Sequence, residues 1–326
     1  MQVNKNAANW PHIQDNEKQV FWWPSANTYM QKEAITEWFK GLQDSICQAI
    51  EQTDGKATFT EDIWERSAGG GGRTRIMQKG NIIEKGGVLF SAVDGKTPPN
   101  ILHALKLQEA DFYATGVSIV MHPYSPMVPI IHMNVRYFEM SNGTYWFGGG
   151  IDLTPHYVNE ADASYFHAQV KKACDKHHSS YYPKFKQWAD DYFYIKHRQE
   201  TRGIGGIFFD RLSATEAASK EQLFAFVQSV SETFALVYTH FMQKNARIPF
   251  GPNEKEWQLV RRGRYVEFNL VYDKGTKFGL DTEGRTESIL MSLPPQAEWH
   301  YNYQVQAGTK EEQTLRLLKK GIEWVK

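Results

Sequence analysis

The stretch Ala114–Tyr157, ATGVSIVMHPYSPMVPIIHMNVRYFEMSNGTYWFGGGIDLTPHY, decides the predicted fold. Apolar and polar residues alternate along it, which is the pattern of β-strands that bury one face. In Ile131–Phe138, one face of the predicted strand is apolar, and the other carries His132, Asn134 and Arg136. Polar side chains at the centre of a buried strand are unusual, so this face is a candidate binding surface.

The segments on either side extend that surface. A second strand is predicted at Thr115–His122, with Ser118 and His122 on its polar face. The short segment 123–129 suits an antiparallel return, which places both polar sets on the same sheet face. The third segment, WFGGGID, ends at Asp152, and we expect its three glycines to leave room for a flat ligand above the backbone.

The composition excludes several classes of protein. The 326 residues include 37 Lys and Arg and 37 Asp and Glu, so no global charge favours nucleic acid or an anionic membrane. Two cysteines, Cys47 and Cys174, cannot form a disulfide framework or an iron–sulfur site, and they favour a reducing compartment such as the cytoplasm. No apolar run reaches the roughly 20 residues of a membrane-spanning helix. Residues 1–25 are expected to form an N-terminal extension without a signal sequence.

The order of the predicted elements indicates one α+β domain over residues 1–326. Strands cluster as hairpins instead of alternating with helices, which argues against a doubly wound parallel sheet. We therefore expect a large, flat, mostly antiparallel sheet with helices packed on both faces. Helices are predicted at 26–51, 160–178, 183–198, 220–243, 254–262 and 310–324, and further strands at 73–79, 87–93, 203–210 and 265–272.

The charged residues of the polar face admit two interpretations each. Arg136 lies in mid-strand, so a carboxylate from the protein or from a ligand must neutralise it. Asp152 either accepts hydrogen bonds from ligand N–H groups or caps a turn before Thr154-Pro155. Asp273 precedes Lys274-Gly275, where a turn-forming role is the alternative to ligand binding.

Four histidines are candidate acid–base groups or metal ligands: His122, His132, His167 and His197. None of them forms a close metal-binding motif with another. For His167 and His197 we expect structural roles, whereas His122 and His132 share the predicted face of Arg136. The glycine clusters 69–72 and 203–206 lack the spacing of nucleotide-binding loops.

Six segments give the sequence a close resemblance to a known family: ATGVSIVMHP, IHMNVRYFE, WFGGGIDLTP, KHRQETRGIGGIFFD, RRGRYVEFNLVYDKGTKFGL and GRTESILMSLPP. The resemblance is to oxygen-dependent coproporphyrinogen III oxidases, and it extends from about Gly70 to Pro295. The resemblance implies a homodimer that converts two propionates of coproporphyrinogen III to vinyl groups, giving protoporphyrinogen IX, carbon dioxide and hydrogen peroxide. Molecular oxygen is the implied oxidant in haem biosynthesis, no organic cofactor is implied, and a divalent metal is not expected to be required.

The resemblance also implies roles for individual residues. Asp152 would hold the pyrrole N–H groups, His132 would donate a proton, and Arg136 and Arg202 would clamp propionates. Further substrate contacts are implied at Ser118, Asn134, Val135, Arg198, Asp273, Gly284 and Arg285. Residues 265–300 match a region implicated in dimerisation. Bacterial relatives are sometimes assigned a metal at the four histidines.

Three residues depart from the family pattern: Thr201, Arg211 and Glu283. Relatives often have arginine, a second aspartate and glycine, respectively, at these places. Glu283 adds a negative charge beside the implied contact at Gly284-Arg285, which puts that contact in doubt. Two alternatives to the oxidase remain open at this point, a non-catalytic tetrapyrrole-binding protein and a metal-dependent oxygenase that uses His122 and His132.

Overall fold

A computed structural model describes residues 31–97, 102, 110–215, 218–281 and 284–325. The predicted N-terminal extension and the first residues of the first predicted helix lie outside these ranges. Seven strands form one antiparallel sheet in the order β1-β2-β3-β4-β5-β6-β9, and β7 and β8 form a separate hairpin. The strands are β1 (Thr60–Glu65), β2 (Gly70–Gln78), β3 (Ile83–Lys96), β4 (Asp111–Pro123), β5 (Ile130–Met140), β6 (Tyr145–Thr154), β7 (Tyr194–Ile195), β8 (Glu200–Thr201) and β9 (Gly205–Leu212).

Helices cover both faces of this sheet. They are α1 (Lys32–Asp54), α2 (Glu160–Asp175), α3 (Tyr181–Tyr192), α4 (Lys220–Asn245), α5 (Pro252–Val271), α6 (Lys274–Asp281), α7 (Thr286–Leu290) and α8 (Lys310–Leu317). The main core lies between one sheet face and α1–α4. On the other face, Tyr265 of α5 and Met291, just after α7, pack against Val120 and Ile130. The predicted single α+β domain, with helices on both faces of a large antiparallel sheet, is confirmed.

The helices of the main core follow from apolar spacing and end signals. In α1, Ile35, Phe39, Leu42, Ile46 and Ile50 recur at intervals of three or four residues and are all buried. The helix ends at Gly55, whose left-handed φ of 70° suits a residue without a β-carbon. Helix α4 begins with a capping box of Ser219 and Gln222. No helix within the described ranges is long and apolar enough to cross a membrane.

The register of the central strands confirms the predicted polar face. Ser118 pairs with Asn134, and His132 pairs with Asp152. Directly paired residues point to the same side of a sheet, so these four side chains and Arg136 share one face. The alternate residues of the same strands, such as Met133, lie in the main core.

The strand predicted at 265–272 is wrong, because this segment is the second half of helix α5. The alternation of Glu267 and Asn269 with apolar neighbours imitates a strand over a few residues. The buried stripe of the helix includes Gln258, Arg261 and Asn269, which hides its helical period. Those polar residues are buried because α5 packs on the polar sheet face.

Two predicted helices end six or more residues early, and strands β1, β7 and β8 were missed. The helix predicted at 183–198 ends at Tyr192, where the chain enters the β7–β8 hairpin. The C-terminal helix ends at Leu317, and the segment after it buries Leu318 and Trp324 in the main core. The unpredicted strand β1 is an edge strand with mostly exposed residues, so it carries no apolar alternation.

Candidate active site

The centre of the polar face is a hydrogen-bonded chain of three side chains, the partly exposed His132 and the buried Asp152 and Arg202. His132 Nδ1 lies 3.1 Å from Asp152 Oδ1, and Arg202 donates to Asp152 Oδ2 at 2.5 Å. Neighbouring strands β5 and β6 supply the first two residues, and the segment after β8 supplies the arginine. Asp152 is 2% exposed and Arg202 is 3% exposed, so neither charge has solvent to stabilise it.

Electrostatics keep Asp152 ionised in this surrounding. Burial alone would raise the pKa of the Asp152 carboxyl, but the Arg202 charge and the His132 hydrogen bond together lower it below its ordinary value. An ionised carboxylate only accepts hydrogen bonds, so His132 Nδ1 carries the hydrogen that Asp152 accepts. Nε2 is therefore the ring nitrogen that the bond to Asp152 leaves available to a ligand. His132 is also the most exposed of the three, with 26% of its side chain open to solvent.

Aromatic rings surround the Arg202 guanidinium. Its Cζ lies 4.3 Å from the ring centre of Phe193, 4.7 Å from that of Phe268 and 5.0 Å from that of Tyr265. Asn269 accepts a further hydrogen bond at 3.2 Å. Among the described residues, Arg202 Nε has no hydrogen-bond partner. The family resemblance implied that Arg202 binds a propionate. In the structure the Arg202 guanidinium forms its ion pair with Asp152.

A second arginine–carboxylate pair lies on the same face, toward solvent. Arg136 donates to Asp210 Oδ1 at 2.7 Å and to Asn134 Oδ1 at 2.8 Å. The exposed fractions of the Arg136 and Asp210 side chains are 37% and 30%. Arg136 follows His132 by four positions in β5, a distance of about 13 Å along the strand. The sequence left open whether a carboxylate of the protein or of a ligand neutralises Arg136. In the structure a protein carboxylate, Asp210, does so.

The three glycines of WFGGGID do not leave the open space that we expected. A β-carbon at Gly148 would lie 2.5 Å from Asp210 Oδ1 and 2.8 Å from Arg136 Nη2. Gly149 faces Phe209 on the core side, and Gly150 lies against the backbone of β9. The glycines thus make room for protein groups, above all for the Arg136–Asp210 pair.

Aromatic residues border the polar face at β9. Phe208 pairs with Gly150 in the sheet and stacks on Tyr192 with ring centres 4.3 Å apart. Trp188 contacts the edge of Phe208 at 5.3 Å. The Tyr192 hydroxyl donates to Asp273 Oδ1 at 2.8 Å, and Asp273 Oδ2 accepts from the Thr276 backbone at the start of α6. Asp273 therefore has a helix-capping role beside this aromatic wall.

Arg198 belongs to a different cluster, centred on Glu267 of α5. Arg198 donates to both oxygens of Glu267, at 2.9 and 2.6 Å, and His197 Nε2 lies 2.8 Å from the same carboxylate. Burial alone would raise the pKa of Glu267, but hydrogen bonds from Arg198 and His197 lower it to about 2. The implied substrate contact at Arg198 is thus engaged by the protein. The cluster joins the loop between β7 and β8 to α5.

Two other implied contacts lie away from the Asp152 chain. Arg285 pairs with Asp62 on edge strand β1, which is five strand spacings, about 24 Å, from the strand of Asp152. Gly284 donates to the Gly279 carbonyl at 2.8 Å in the same segment. Val135 is fully buried in the main core on the opposite sheet face, so its side chain cannot contact a ligand on the polar face. Ser118, beside Asn134, lies on that face as predicted.

The four candidate histidines do not form one cluster. His122 contacts the Ser292 carbonyl, and burial together with nearby Arg262 holds its pKa well below the ordinary value. His167 bonds Tyr182 and the Ile204 carbonyl, and burial lowers its pKa to about 4. His197 lies between Glu267 and Tyr272. Among the residues that the structure describes, no group of three or more His, Cys, Asp or Glu side chains is arranged to hold a metal.

Two of the three departures from the family pattern have local explanations, and Glu283 lies outside the described residues. Thr201 is buried and donates to the Gly203 carbonyl at 2.8 Å, so the hydroxyl is satisfied. Arg211 is exposed at a β-bulge with a left-handed φ of 53°.

The sequence missed Asp210 and Asn269 as members of the site. Asp210 ends the apolar run GIGGIFFD, and a charged residue directly after a buried strand segment was a usable signal. Asn269 gave no signal, since it was assigned to a strand. Each accepts a hydrogen bond from an arginine on the polar face.

A family model described as coproporphyrinogen III oxidase matches residues 34–324. The chain belongs to the coproporphyrinogen III oxidase family. The match extends over nearly the whole chain, including every strand of the sheet and the Asp152 and Arg136 clusters. Coproporphyrinogen III is the substrate that this family implies, and its reaction is an oxidative decarboxylation in porphyrin biosynthesis.

Proposed function

We propose that the protein is the oxygen-dependent form of the oxidase and decarboxylates two propionates of coproporphyrinogen III with molecular oxygen. The observation that carries this proposal is the partly exposed row of Arg136, Asn134 and His132 on one sheet face. It offers a guanidinium for a carboxylate and an imidazole for proton transfer, about 13 Å apart along the strand. The aromatic wall of Phe208 and Tyr192 suits the apolar rim of a tetrapyrrole.

Each of the two decarboxylations requires only molecular oxygen as the oxidant. A propionate, R–CH₂–CH₂–COO⁻, reacts with O₂ and one proton to give R–CH=CH₂, CO₂ and H₂O₂. The C–H and C–CO₂ bonds break, the vinyl C=C bond forms, and two electrons pass to oxygen. We assign the proton delivery to His132 Nε2, because Asp152 holds the other ring nitrogen.

The role of Asp152 in this proposal is to orient His132. The resemblance implied direct contact between Asp152 and the pyrrole N–H groups. Asp152 is almost fully buried, and its oxygens accept from His132 and Arg202, so His132 is the group that faces the substrate. Arg136 binds a propionate and fixes the substrate relative to His132.

An assay under controlled oxygen tests the proposed oxidant. We expect one O₂ consumed and one CO₂ released for each vinyl group formed, and no product under strict anaerobiosis. Coproporphyrinogen binding should persist without oxygen. Undiminished turnover in anaerobic solution would contradict the proposal, and binding without turnover in air would favour a non-catalytic tetrapyrrole-binding protein. Loss of turnover after exhaustive chelation, restored by one metal, would favour the metal-dependent oxygenase.

We further propose that the protein is a homodimer of a reducing compartment such as the cytoplasm. The segment 265–300, implied in dimerisation, carries exposed apolar residues: Leu270 and Val271 are each 46% exposed, Leu280 is 42% and Trp299 is 53%. Burying such side chains against a second copy is favourable. Light scattering should give twice the chain mass, and Leu270→Glu with Val271→Glu should shift it toward the monomer. A monomeric wild-type protein at micromolar concentration would contradict the dimer.

A further inference from the structure

The two arginine–carboxylate pairs of the polar face differ in how easily they separate. The Asp152–Arg202 pair is almost fully buried, so separating it leaves two charges without solvent. The Arg136–Asp210 pair is about one third exposed on both sides. Exposed ion pairs contribute little net free energy, because water solvates either partner well. Of these two arginines, Arg136 is therefore the one whose carboxylate partner can be exchanged at low cost.

The local backbone directs Asp210 toward Arg136. The register between β6 and β9 shifts between the pairs Phe147–Leu212 and Gly149–Phe209. This bulge, with Arg211 in a left-handed conformation, places Asp210 beside Gly148. The missing side chain at Gly148 leaves the space that the pair occupies. Backbone features of two strands thus favour the same pair.

We propose that Asp210 is the resident counter-ion of Arg136 and that a carboxylate of the substrate replaces it on binding. This inference rests on the proposed function, since it takes a propionate as the incoming carboxylate. In the free protein, Asp210 neutralises Arg136 and holds its guanidinium beside Asn134. In the complex, the propionate accepts the hydrogen bond of Nη2, and Asp210 turns to solvent. The exchange makes binding selective for a carboxylate arm, because a neutral arm cannot replace Asp210 without leaving Arg136 unpaired.

The test compares equilibrium binding in four proteins: wild type, Asp210→Asn, Arg136→Gln and the double variant. The probe is coproporphyrin III, the oxidised tetracarboxylate macrocycle, which binds without turnover and is followed by its fluorescence. We expect Asp210→Asn to lower Kd by about two- to five-fold, because the competing carboxylate is removed. The same substitution in the Arg136→Gln background should leave Kd unchanged. Coproporphyrin amidated with ethanolamine on all four arms, a neutral probe, should not distinguish wild type from Asp210→Asn.

Asp175→Asn is the matched control. It removes a carboxylate from the similarly exposed Lys171–Asp175 pair on α2, outside the polar face, and should leave Kd unchanged. Thermal denaturation of each variant checks that the fold is retained.

Three results would overturn the exchange. A Kd that is unchanged or raised in Asp210→Asn shows that Asp210 only positions Arg136. If Asp210→Asn also lowers Kd in the Arg136→Gln background, the substitution acts through the overall charge of the site and not through Arg136. If neither wild type nor Asp210→Asn binds coproporphyrin, the proposed substrate class is wrong and the exchange is wrong with it. Failure of the exchange alone is recognised because both proteins then still bind the probe.

Discussion

Asp152→Asn is expected to lower the free energy of unfolding by about 3–5 kcal/mol, the usual cost of leaving one buried charge without its partner. Arg202 would keep its charge inside a cage of Phe193, Phe268 and Tyr265, with no carboxylate to neutralise it. Turnover should fall by about 100-fold or more, since a neutral amide accepts the His132 hydrogen bond more weakly than the carboxylate and supplies no charge to stabilise the protonated ring. Chemical denaturation measures the first effect, and the initial rate of vinyl formation measures the second.

The double variant Asp152→Asn, Arg202→Met separates stability from catalysis. Removing both charges together should recover most of the lost stability, because well-packed apolar groups often replace buried ion pairs without cost. It should not recover turnover. Asp175→Asn, which breaks an exposed pair, should change stability by no more than about 1 kcal/mol. If Asp152→Asn unfolds at the same denaturant concentration as wild type, the buried pair does not exist in solution.

That prediction differs from what the sequence alone suggested. Sequence alone does not indicate that Asp152 has an internal partner, and without such a partner a substitution there would stop turnover and spare the fold. Arg202 follows Asp152 by 50 residues, and its segment precedes β9, which pairs with the strand of Asp152. Sequence spacing carries no information on which of several arginines meets a carboxylate across such a connection.

The central sheet, by contrast, was predictable from alternation. At the centres of β4 and β5, residues 117–121 and 131–137, one face is apolar, and a slip of one residue would expose that face, so the register is strongly determined. This is why the shared face of Ser118, His132 and Asn134 could be predicted. The second half of helix α5 was mistaken for a strand for the opposite reason. The helix packs polar residues on the polar sheet face, so its apolar residues follow neither the helical period of 3.6 nor the strand period of two clearly.

The arginines mark the limit of prediction from residue type. Arg136, Arg198, Arg202 and Arg285 were all expected to bind propionates, because guanidinium groups suit carboxylates. In the structure each one has a protein carboxylate: Asp210, Glu267, Asp152 and Asp62, respectively. These arginines differ in burial. The Arg202–Asp152 pair is almost fully buried and costly to separate, whereas the Arg136–Asp210 pair is about one third exposed and can exchange its carboxylate. Burial of a single side chain depends on the packing of α5, which the sequence did not reveal.

His132→Asn is expected to reduce turnover by about 100- to 10,000-fold while leaving KM within a few-fold of wild type, the range for loss of a general acid–base group. Asparagine is shorter than histidine and has no group that titrates near neutral pH, so it cannot deliver the proton from the position of Nε2. Unlike Asp152→Asn, this substitution leaves the Asp152–Arg202 pair intact, so stability should change by roughly 1 kcal/mol, the value of one hydrogen bond. The measurement is the pH dependence of kcat and kcat/KM for wild type and variant.

The pH profile distinguishes proton transfer from a merely structural role. If His132 delivers a proton, the wild-type pH–rate profile should fall on its alkaline side, and this limb should be absent in His132→Asn. His178→Asn is the control, because His178 is exposed and bonds only Ser180 among the described side chains; its profile should match wild type. A His132→Asn rate within ten-fold of wild type, or a retained limb, would place the proton donor elsewhere. The next group to test would then be the Tyr192 hydroxyl, which borders the same face and donates to Asp273.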